Sequence, residues 1–123
     1  MRTPLDRFIQ DPRTQRLGLE DVRAFFRGPR QVLFISGDPT LRPEAQDVAV
    51  VMRELTKGQA GLDLGWLAPE DEPDARKVLG VRTIPCVIMA SHGREVHRIE
   101  GTKNWEVYAE AIRDFMGRVE IFS

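Results

Sequence analysis

The stretch Gly80-Val81-Arg82-Thr83-Ile84-Pro85-Cys86-Val87-Ile88-Met89-Ala90 decides the fold of this chain. Gly80 is suited to close a preceding helix, because glycine adopts the left-handed backbone conformation found at such ends. The run from Ile84 to Ala90 predicts a strand with a proline at its start. The turn Ser91-His92-Gly93-Arg94 follows, so we predict a hairpin whose return strand runs from Glu95 to Glu100.

Upstream, a second apolar run supplies the centre of the sheet. Gln31-Val32-Leu33-Phe34-Ile35-Ser36 is continuously apolar in its middle, so both of its faces must be covered. This pattern predicts a central parallel strand flanked by helices. Gly37-Asp38-Pro39-Thr40 breaks the strand, and Pro43 fits the first turn of a helix that ends near Gly58. One apolar stripe marks that helix: Ala45, Val48, Ala49, Met52 and Leu55.

The other predicted elements complete an alternating α/β order in one domain, residues 1–123. They are a short helix over Leu5–Ile9, an edge strand over Thr14–Leu17, a helix over Leu19–Phe26, a strand over Gly61–Leu67, a helix over Pro73–Leu79 and a last helix after Gly101. We expect the last helix to bury six side chains, which are Trp105, Tyr108, Ala109, Ile112, Phe115 and Met116. The order β-α-β-α-β-α-β-β-α implies parallel pairing first and an antiparallel hairpin afterwards.

This order and the segment around Pro85 resemble the thioredoxin fold, over roughly residues 14–118. Gly80, the Ile84-Pro85 pair and the apolar residues after it are similar to the thioredoxin segment that faces the active site. The resemblance implies an α/β fold with a central mixed sheet of four to five strands flanked by helices. It also implies a cis Ile84–Pro85 peptide bond and a groove in which backbone groups beside that proline pair with an extended peptide.

The chain departs from thioredoxins where the helix start should carry two cysteines. The corresponding residues are Leu41-Arg42-Pro43-Glu44, so the proline is kept while Leu41 and Glu44 stand where thiols would be. Disulfide exchange needs one thiolate to attack and a second thiol to resolve the mixed disulfide. Neither is present here, which favours a binding protein over a dithiol enzyme.

A narrower resemblance is carried by Ser36-Gly37-Asp38-Pro39, Pro43-Glu44 and Asp47, followed by the acidic loop and Ile84-Pro85. These residues look like those of the thioredoxin-like accessory proteins of nickel-iron uptake hydrogenases, the HyaE, HupG and HoxO group. The resemblance implies a cytoplasmic, non-catalytic chaperone without a cofactor. Its implied partner is the hydrogenase small-subunit precursor with its twin-arginine signal region, and further hydrogenase accessory proteins are candidate partners.

From their positions we predict a peptide- or protein-binding site formed by Asp38, Leu41, Pro43, Glu44, Thr83, Ile84 and Pro85. We expect its carboxylates, extended by the loop Glu70-Asp71-Glu72 with Asp74, to attract a basic segment of the partner. The alternative is that Glu44 only favours a helix N-terminus and that the loop is solvated. A generic adaptor on the same scaffold is a further possibility, since a fold does not fix a function.

Cys86 leaves a second function class open. It follows Pro85 directly, so it is a candidate redox thiol, and a monothiol thioredoxin-like protein using Cys86 is the alternative function. The competing interpretation is a small, inert, buried strand residue. His92 and His97 flank the hairpin turn, but two histidines without a clear set of carboxylates are a poor ligand set, so we predict no metal site.

Composition excludes several other classes. The 123 residues carry 18 basic and 19 acidic side chains and a formal net charge of -1, which gives no reason to expect nucleic-acid binding. No apolar run approaches the roughly 20 residues that a membrane span needs, so we expect no membrane insertion. The first eight residues lack an apolar stretch of signal-peptide length. With one cysteine and no such signal, we expect a cytoplasmic protein.

Overall fold

The computed structural model describes residues 2–121 of the chain. Within these residues the strands are β1 (Thr14–Leu17), β2 (Gln31–Ile35), β3 (Asp63–Leu67), β4 (Cys86–Ser91) and β5 (Arg94–Glu100). The α-helices are α1 (Pro4–Ile9), α2 (Val22–Phe25), α3 (Glu44–Thr56), α4 (Glu72–Leu79) and α5 (Trp105–Ile121). Short 3₁₀ turns, Leu19–Asp21 and Pro69–Asp71, lead into α2 and α4.

The strands form one mixed sheet in the order β1-β3-β2-β4-β5. Strand β3 runs parallel to both β1 and β2, while β4 runs antiparallel to β2 and to β5. Every residue of β2 is buried, as the prediction of a central strand requires. Its pairing is parallel on one side only, because its other neighbour is the first strand of the hairpin. The predicted central mixed sheet is therefore confirmed.

Alternate residues of β2 face two different apolar clusters, as the two-residue period of a strand dictates. Val32 and Phe34 join the cluster that also holds residues of α1, α3 and α5. Leu33 and Ile35 join the second cluster, with residues of α2 and α4. In the first cluster the rings of Phe8 and Phe34 pack edge to face, with centroids 5.3 Å apart. Helices thus cover both faces of the sheet, and the sheet's carboxyl-terminal edge at Ile35 is left for the loops that follow.

Several details of the sequence prediction are wrong. Strand β3 begins at Asp63 and not at Gly61, and the predicted helix over Leu19–Phe26 is a 3₁₀ turn followed by the short helix α2. Ala109, which we expected to be buried, is only partly buried.

Trp105 is 47% exposed, whereas we expected it in the core. It is the first residue of α5, and the row of α5 side chains that faces the sheet begins one turn later, at Tyr108, which is 1% exposed. Strand β4 begins at Cys86 and not at Ile84, because Pro85 has no N–H to donate to the neighbouring strand.

The predicted hairpin is confirmed. His92 and Gly93 both have positive φ, at 51° and 83°, which suits a tight turn between β4 and β5. The turn is also tied to the loop after α2, since the His92 amide donates to the Gly28 carbonyl at 2.8 Å and the Gly93 amide to the Phe26 carbonyl at 2.7 Å. Among residues 2–121, no helix combines the length and the apolar character that crossing a membrane demands.

Candidate peptide-binding site

The loop before β4 carries the predicted cis proline. The Ile84–Pro85 bond is cis, as predicted. Both side chains are buried, with Ile84 6% exposed. The Pro85 carbonyl accepts a hydrogen bond from the Gly101 amide at 2.7 Å, but no backbone hydrogen bond joins Ile84 to another residue within 2–121. Within residues 2–121, the N–H and C=O groups of Ile84 are therefore without a backbone partner.

A carboxylate holds this loop from the β5 side. Glu100 Oε1 accepts from the amides of Arg82 at 3.1 Å and Thr83 at 3.0 Å, and Glu100 Oε2 accepts from Arg98 Nη1 at 3.3 Å. Burial acts to raise the pKa of Glu100, but the bonds from Arg98 and the two amides outweigh it and hold the pKa below its usual value of 4.5. Glu100 is thus ionised at neutral pH and fixes the two residues that precede Ile84.

Arg98 links the same loop to the end of α4. Its Nη2 donates to the Leu79 carbonyl at 2.7 Å and its Nη1 to the Gly80 carbonyl at 3.1 Å. These carbonyls lie at the helix end, where no intrahelical partner exists and a cation is favourable. Gly80 has φ of 66°, so the predicted closing glycine is confirmed. The first half of the loop from residue 80 to 86 is therefore anchored at two points by ionised β5 side chains, Arg98 and Glu100.

A buried relay of hydrogen bonds fixes the facing segment, residues 36–43. The Trp66 indole N–H donates to Ser36 Oγ at 2.8 Å, and the Ser36 hydroxyl donates to the Gly37 carbonyl at 2.9 Å. Ser36 is 0% exposed and Trp66 is 5% exposed. Each polar group of the relay is satisfied by the next one, so the end of β2 is set in a single geometry.

Asp38 closes a turn immediately after Gly37. Its Oδ1 accepts from the Thr40 hydroxyl at 2.8 Å and from the Thr40 amide at 2.9 Å. Its carbonyl accepts from the amides of Leu41 and Arg42, each at 3.0 Å. The bonds from Thr40 hold the pKa of Asp38 below its usual range. The side chain is exposed, so its free oxygen still faces solvent while the turn positions the residues that precede α3.

Gly37 is the point where the two halves of the site meet. It has φ of 65°, and a β-carbon there would lie 2.5 Å from Glu72 Oε1, 3.0 Å from Ile84 Cγ2 and 3.2 Å from Arg42 Nη1. The backbone conformation strongly favours glycine, and a β-carbon here would also displace these side-chain ends. The tips of Ile84, Arg42 and Glu72 therefore converge on Gly37.

The predicted residues at the helix start are accessible. Leu41 is 74% exposed, Pro43 is exposed and is the N-cap of α3, and Glu44 is the first residue of that helix. No hydrogen bond or ion pair within residues 2–121 joins Asp38, Leu41 or Glu44 to the loop 82–86. The structure brings the two segments together through Gly37 and Ile84, while the Asp38 carboxylate is bonded within its own segment, to Thr40.

The acidic loop is already engaged by the fold. Glu70 pairs with Arg16 at 3.1 Å, and Asp71 Oδ2 accepts from the Leu19 amide at 2.9 Å. Glu72 pairs with Arg42 at 3.3 Å and with Arg76 at 3.4 Å. Asp74 is exposed. Three of the four carboxylates thus have internal partners, which disfavours the loop as a general attractant for basic segments.

Cys86 has the environment of a structural residue. It is 0% exposed, and burial raises the pKa of its thiol to about 12. Its Cα lies opposite Ile35 on β2 and Glu100 on β5. A thiolate, which is the reactive form, is scarcely populated at neutral pH in such a site. Residues 2–121 also bring together no group of three or more histidine, cysteine or acidic side chains able to hold a metal, and His92 and His97 are both exposed.

Sequence reasoning missed three residues that build the site, namely Arg42, Glu72 and Glu100. The sequence marks Glu72 only as one of several acidic loop residues, whereas in the structure its Oε1 lies against Gly37. Glu100 sits 17 residues from the Thr83 amide that it binds. No local pattern marks such a long-range contact; the only signal was a pair of opposite charges, Arg98 and Glu100, close together on the return strand.

Comparison with solved structures confirms the fold class. A chain from a study of the yeast mitochondrial 1-Cys peroxiredoxin and the glutathione/thioredoxin systems matches with a TM-score of 0.70, covering 82% of this chain and 94% of that one. Mitochondrial thioredoxin 3 of Saccharomyces cerevisiae matches with a TM-score of 0.67 over the same shares. Both are 16% identical to this chain, so they show that the chain has a thioredoxin fold and nothing about its activity.

Several curated relatives are more similar in sequence. The hydrogenase expression/formation protein HupG of Bradyrhizobium diazoefficiens is 36% identical over 92 residues, covering 74% of this chain and 62% of the relative. HupG of Rhizobium leguminosarum bv. viciae is 37% identical over 66% of this chain and 55% of the relative. HoxO of Azotobacter vinelandii is 33% identical over 68% and 57%. The chain therefore matches less than two thirds of the length of each of these relatives.

The family model described as "Hydrogenase-1 expression protein HyaE" matches residues 5–108. That range begins in α1 and ends in the first turns of α5, so it takes in the whole sheet and both segments of the site. The resemblance inferred from Ser36-Gly37-Asp38-Pro39 and Pro43-Glu44 is thus confirmed at the level of the family. This chain belongs to the HyaE family of thioredoxin-like hydrogenase expression proteins.

Proposed function

We propose that this chain is a cytoplasmic, non-catalytic accessory protein of nickel-iron hydrogenase maturation that binds the small-subunit precursor at its signal region. One observation carries the proposal: the main chain of Ile84, in the loop before β4, has no backbone partner within residues 2–121, in a chain without a dithiol. Family membership supplies the hydrogenase context. Other hydrogenase accessory proteins are secondary candidate partners.

The binding mode is strand addition at the cis-proline loop. An extended segment donates to and accepts from the Ile84 backbone, as peptides do when they extend an open edge. Glu100 supports this mode because it fixes Arg82 and Thr83, so little order is lost when a segment pairs with the next residue. Backbone pairing supplies affinity without regard to sequence, and the side chains around the groove then select among segments.

Two kinds of side chain are placed to make that selection. Leu41 offers an exposed apolar surface, and Pro43 lies beside the same helix start. Asp38 and Glu44 place carboxylates on the same segment. A precursor segment that combines apolar residues with paired arginines matches this mixture, with the carboxylates mainly raising the association rate and the specificity.

The alternative, a monothiol redox protein, finds no support in the geometry. It requires Cys86 as an accessible thiolate, whereas burial raises the pKa of that thiol to about 12. The helix start, where thioredoxin-like enzymes place the attacking sulfur, carries Leu41 here.

The direct test is a binding measurement between the tagged chain and the small-subunit precursor, with and without its signal region. We expect binding of the form that carries the signal and at least about tenfold weaker binding of the truncated form. The double variant Asp38→Lys, Glu44→Lys should weaken binding at low salt, with a smaller effect at high salt because exposed charges are screened.

Two further variants make the test specific. Leu41→Ser removes an exposed apolar contact without changing the charge, so it should weaken binding without lowering the stability of the fold. Val50→Ser changes a side chain that is 45% exposed on α3, outside the proposed site, and is the matched control. Failure of both precursor forms to bind contradicts the proposal, as does binding that is insensitive to the signal region and to Leu41.

A further inference from the structure

One carboxylate at the groove is only loosely held. Glu72 Oε1 accepts a hydrogen bond from Arg42 Nη1 at 3.3 Å, and Glu72 Oε2 accepts one from Arg76 Nε at 3.4 Å. Both distances are longer than the roughly 2.7–2.9 Å of a strong charge-assisted bond, and neither pair is bidentate. The Glu72 side chain is 14% exposed, so its charge is partly removed from water while its partners are poorly placed.

The position of Glu72 differs from that of an ordinary helix-start carboxylate. Its Oε1 and Ile84 Cγ2 both lie against Gly37. Ile84 is the residue whose main chain has no backbone partner and is proposed to pair with the docked segment. Arg76, one turn further along α4, would be a sufficient partner for a glutamate that only stabilised the helix. Arg42 comes instead from the opposite segment of the groove, 30 residues away in sequence.

The two arginines are anchored to different degrees. Arg76 Nη1 also donates to the Arg82 carbonyl at 2.8 Å, which ties it to the loop before the cis proline. The side-chain hydrogen bond of Arg42 within residues 2–121 is the long one to Glu72, and the Arg42 side chain is 26% exposed. Arg42 is therefore the partner that can move into solvent at little cost.

We propose that Glu72 binds an arginine side chain of the docked segment and that Arg42 occupies this carboxylate until the segment arrives. The inference rests on the function proposed above, since it assigns a specificity residue to the same groove. The incoming guanidinium replaces one cation by another, so no carboxylate is left unpaired at any stage. It also offers a planar pair of donors, which a lysine ammonium lacks, so the site prefers arginine to lysine.

The proposal makes an uncommon prediction, namely that removing a native ion pair tightens binding. The probe is a synthetic peptide of the precursor signal region with its paired arginines, titrated against the full chain. Arg42→Ala should bind this peptide about threefold to tenfold more tightly than the unaltered chain, because the internal competitor is gone. Glu72→Gln should bind it about tenfold more weakly.

Removing any positive charge near the binding site also raises the affinity for a basic peptide. Two controls separate this general effect from the release of Glu72 by Arg42. Arg82→Ala removes an arginine whose side chain is 91% exposed and whose ion pair with Glu100 is long, at 4.0 Å. This variant therefore measures the effect of removing a positive charge in general. In the Glu72→Gln background, Arg42→Ala should change affinity no more than Arg82→Ala does, because the contested carboxylate is absent. An equal gain from Arg42→Ala with and without Glu72 overturns the proposal.

A second peptide with both arginines replaced by lysine tests recognition itself. We expect the unaltered chain to prefer the arginine peptide and the Glu72→Gln variant to lose this preference, with urea denaturation showing that the variant is folded. A preference that survives in Glu72→Gln overturns the assignment. If the arginine peptide binds the unaltered chain but Arg42→Ala gives no gain, the exchange is wrong and the proposed function stands; if neither peptide nor precursor binds any variant, the proposed function fails.

Discussion

The cis-proline loop and the segment before α3 face each other across the end of the sheet, yet they are stabilised by different means. Residues 80–86 are anchored by two ionised side chains of β5, Arg98 and Glu100, which bind backbone groups directly. Residues 36–43 are anchored by a neutral, buried relay through Ser36 and by the Asp38 turn. The first region leaves an open main chain, and the second presents exposed side chains.

This difference explains how the thiols could be replaced without loss of the fold. At the positions where a thioredoxin carries its cysteines, Leu41 is 74% exposed and Glu44 begins a helix, so neither side chain supports the core. Pro85, Gly37 and Ser36 are buried and are tied to the sheet. The backbone of the groove is thus a structural property, while its chemistry depends on a few exposed side chains that can vary independently.

The largest effect should come from adding a side chain where the two regions touch. Gly37→Ala adds a β-carbon at φ of 65° against Ile84 and Glu72. We expect a loss of about 2–4 kcal/mol in the free energy of unfolding, from backbone strain and displaced neighbours together. Gly58→Ala is the matched control, because φ there is 77° and no atom lies within 4 Å, so only the backbone cost of about 1–2 kcal/mol remains. Equal losses in urea denaturation would show that the two regions do not press on Gly37.

Breaking the neutral relay should be next in size. Ser36→Ala leaves the buried indole N–H of Trp66 without its acceptor, at a cost of about 1–3 kcal/mol in the free energy of unfolding. Trp66→Phe removes the donor, so adding Ser36→Ala to it should cost clearly less than Ser36→Ala costs alone. Additive losses in this cycle would mean that the hydrogen bond does not fix the segment.

The hydrogen bonds from the Glu100 carboxylate to the cis-proline loop should weaken in acid, unlike the neutral bonds of Ser36 and Trp66. The folded-state pKa of Glu100 lies below its usual 4.5, so the contribution of this carboxylate to stability is complete above pH 4.5 and is lost as the pH falls through the lower folded value. Glu100→Gln should cost about 1–2 kcal/mol at pH 7, and the difference from the unaltered chain should narrow as the pH falls through the lowered pKa of Glu100. Urea midpoints measured from pH 7 to pH 3 would reveal a constant gap if the Glu100 charge were unimportant.

The smallest effect is expected from replacing the single cysteine, Cys86. Cys86→Ala should leave affinity for the precursor within about twofold, and the native thiol should react with iodoacetamide far more slowly at pH 8 than in urea, because burial raises its pKa to about 12. Turnover in an insulin-reduction assay that disappears in Cys86→Ala would instead establish the monothiol alternative.

The parts of this molecule that could be predicted from sequence are those with a local cause. The apolar run Val32 to Ile35 needs cover on both faces, Gly80 ends a helix, and Pro85 stands at a strand start. The central mixed sheet was expected from the resemblance of these elements to the thioredoxin fold. Trp105 was misplaced because helical spacing identifies a row of apolar residues but not the turn at which the row reaches the core. Glu72 and Glu100 escaped prediction because their roles depend on contacts made only after folding.

The most direct test of the central claim, that a partner segment pairs with the open main chain beside Pro85, is an amide NMR titration of the chain with the signal-region peptide. We expect the largest changes in chemical shift at Ile84, Gly37 and Leu41, together with slowed hydrogen exchange of the Ile84 amide as it becomes paired. Saturable binding that leaves these amides unchanged and instead perturbs the opposite sheet edge, at Thr14–Leu17, would contradict it.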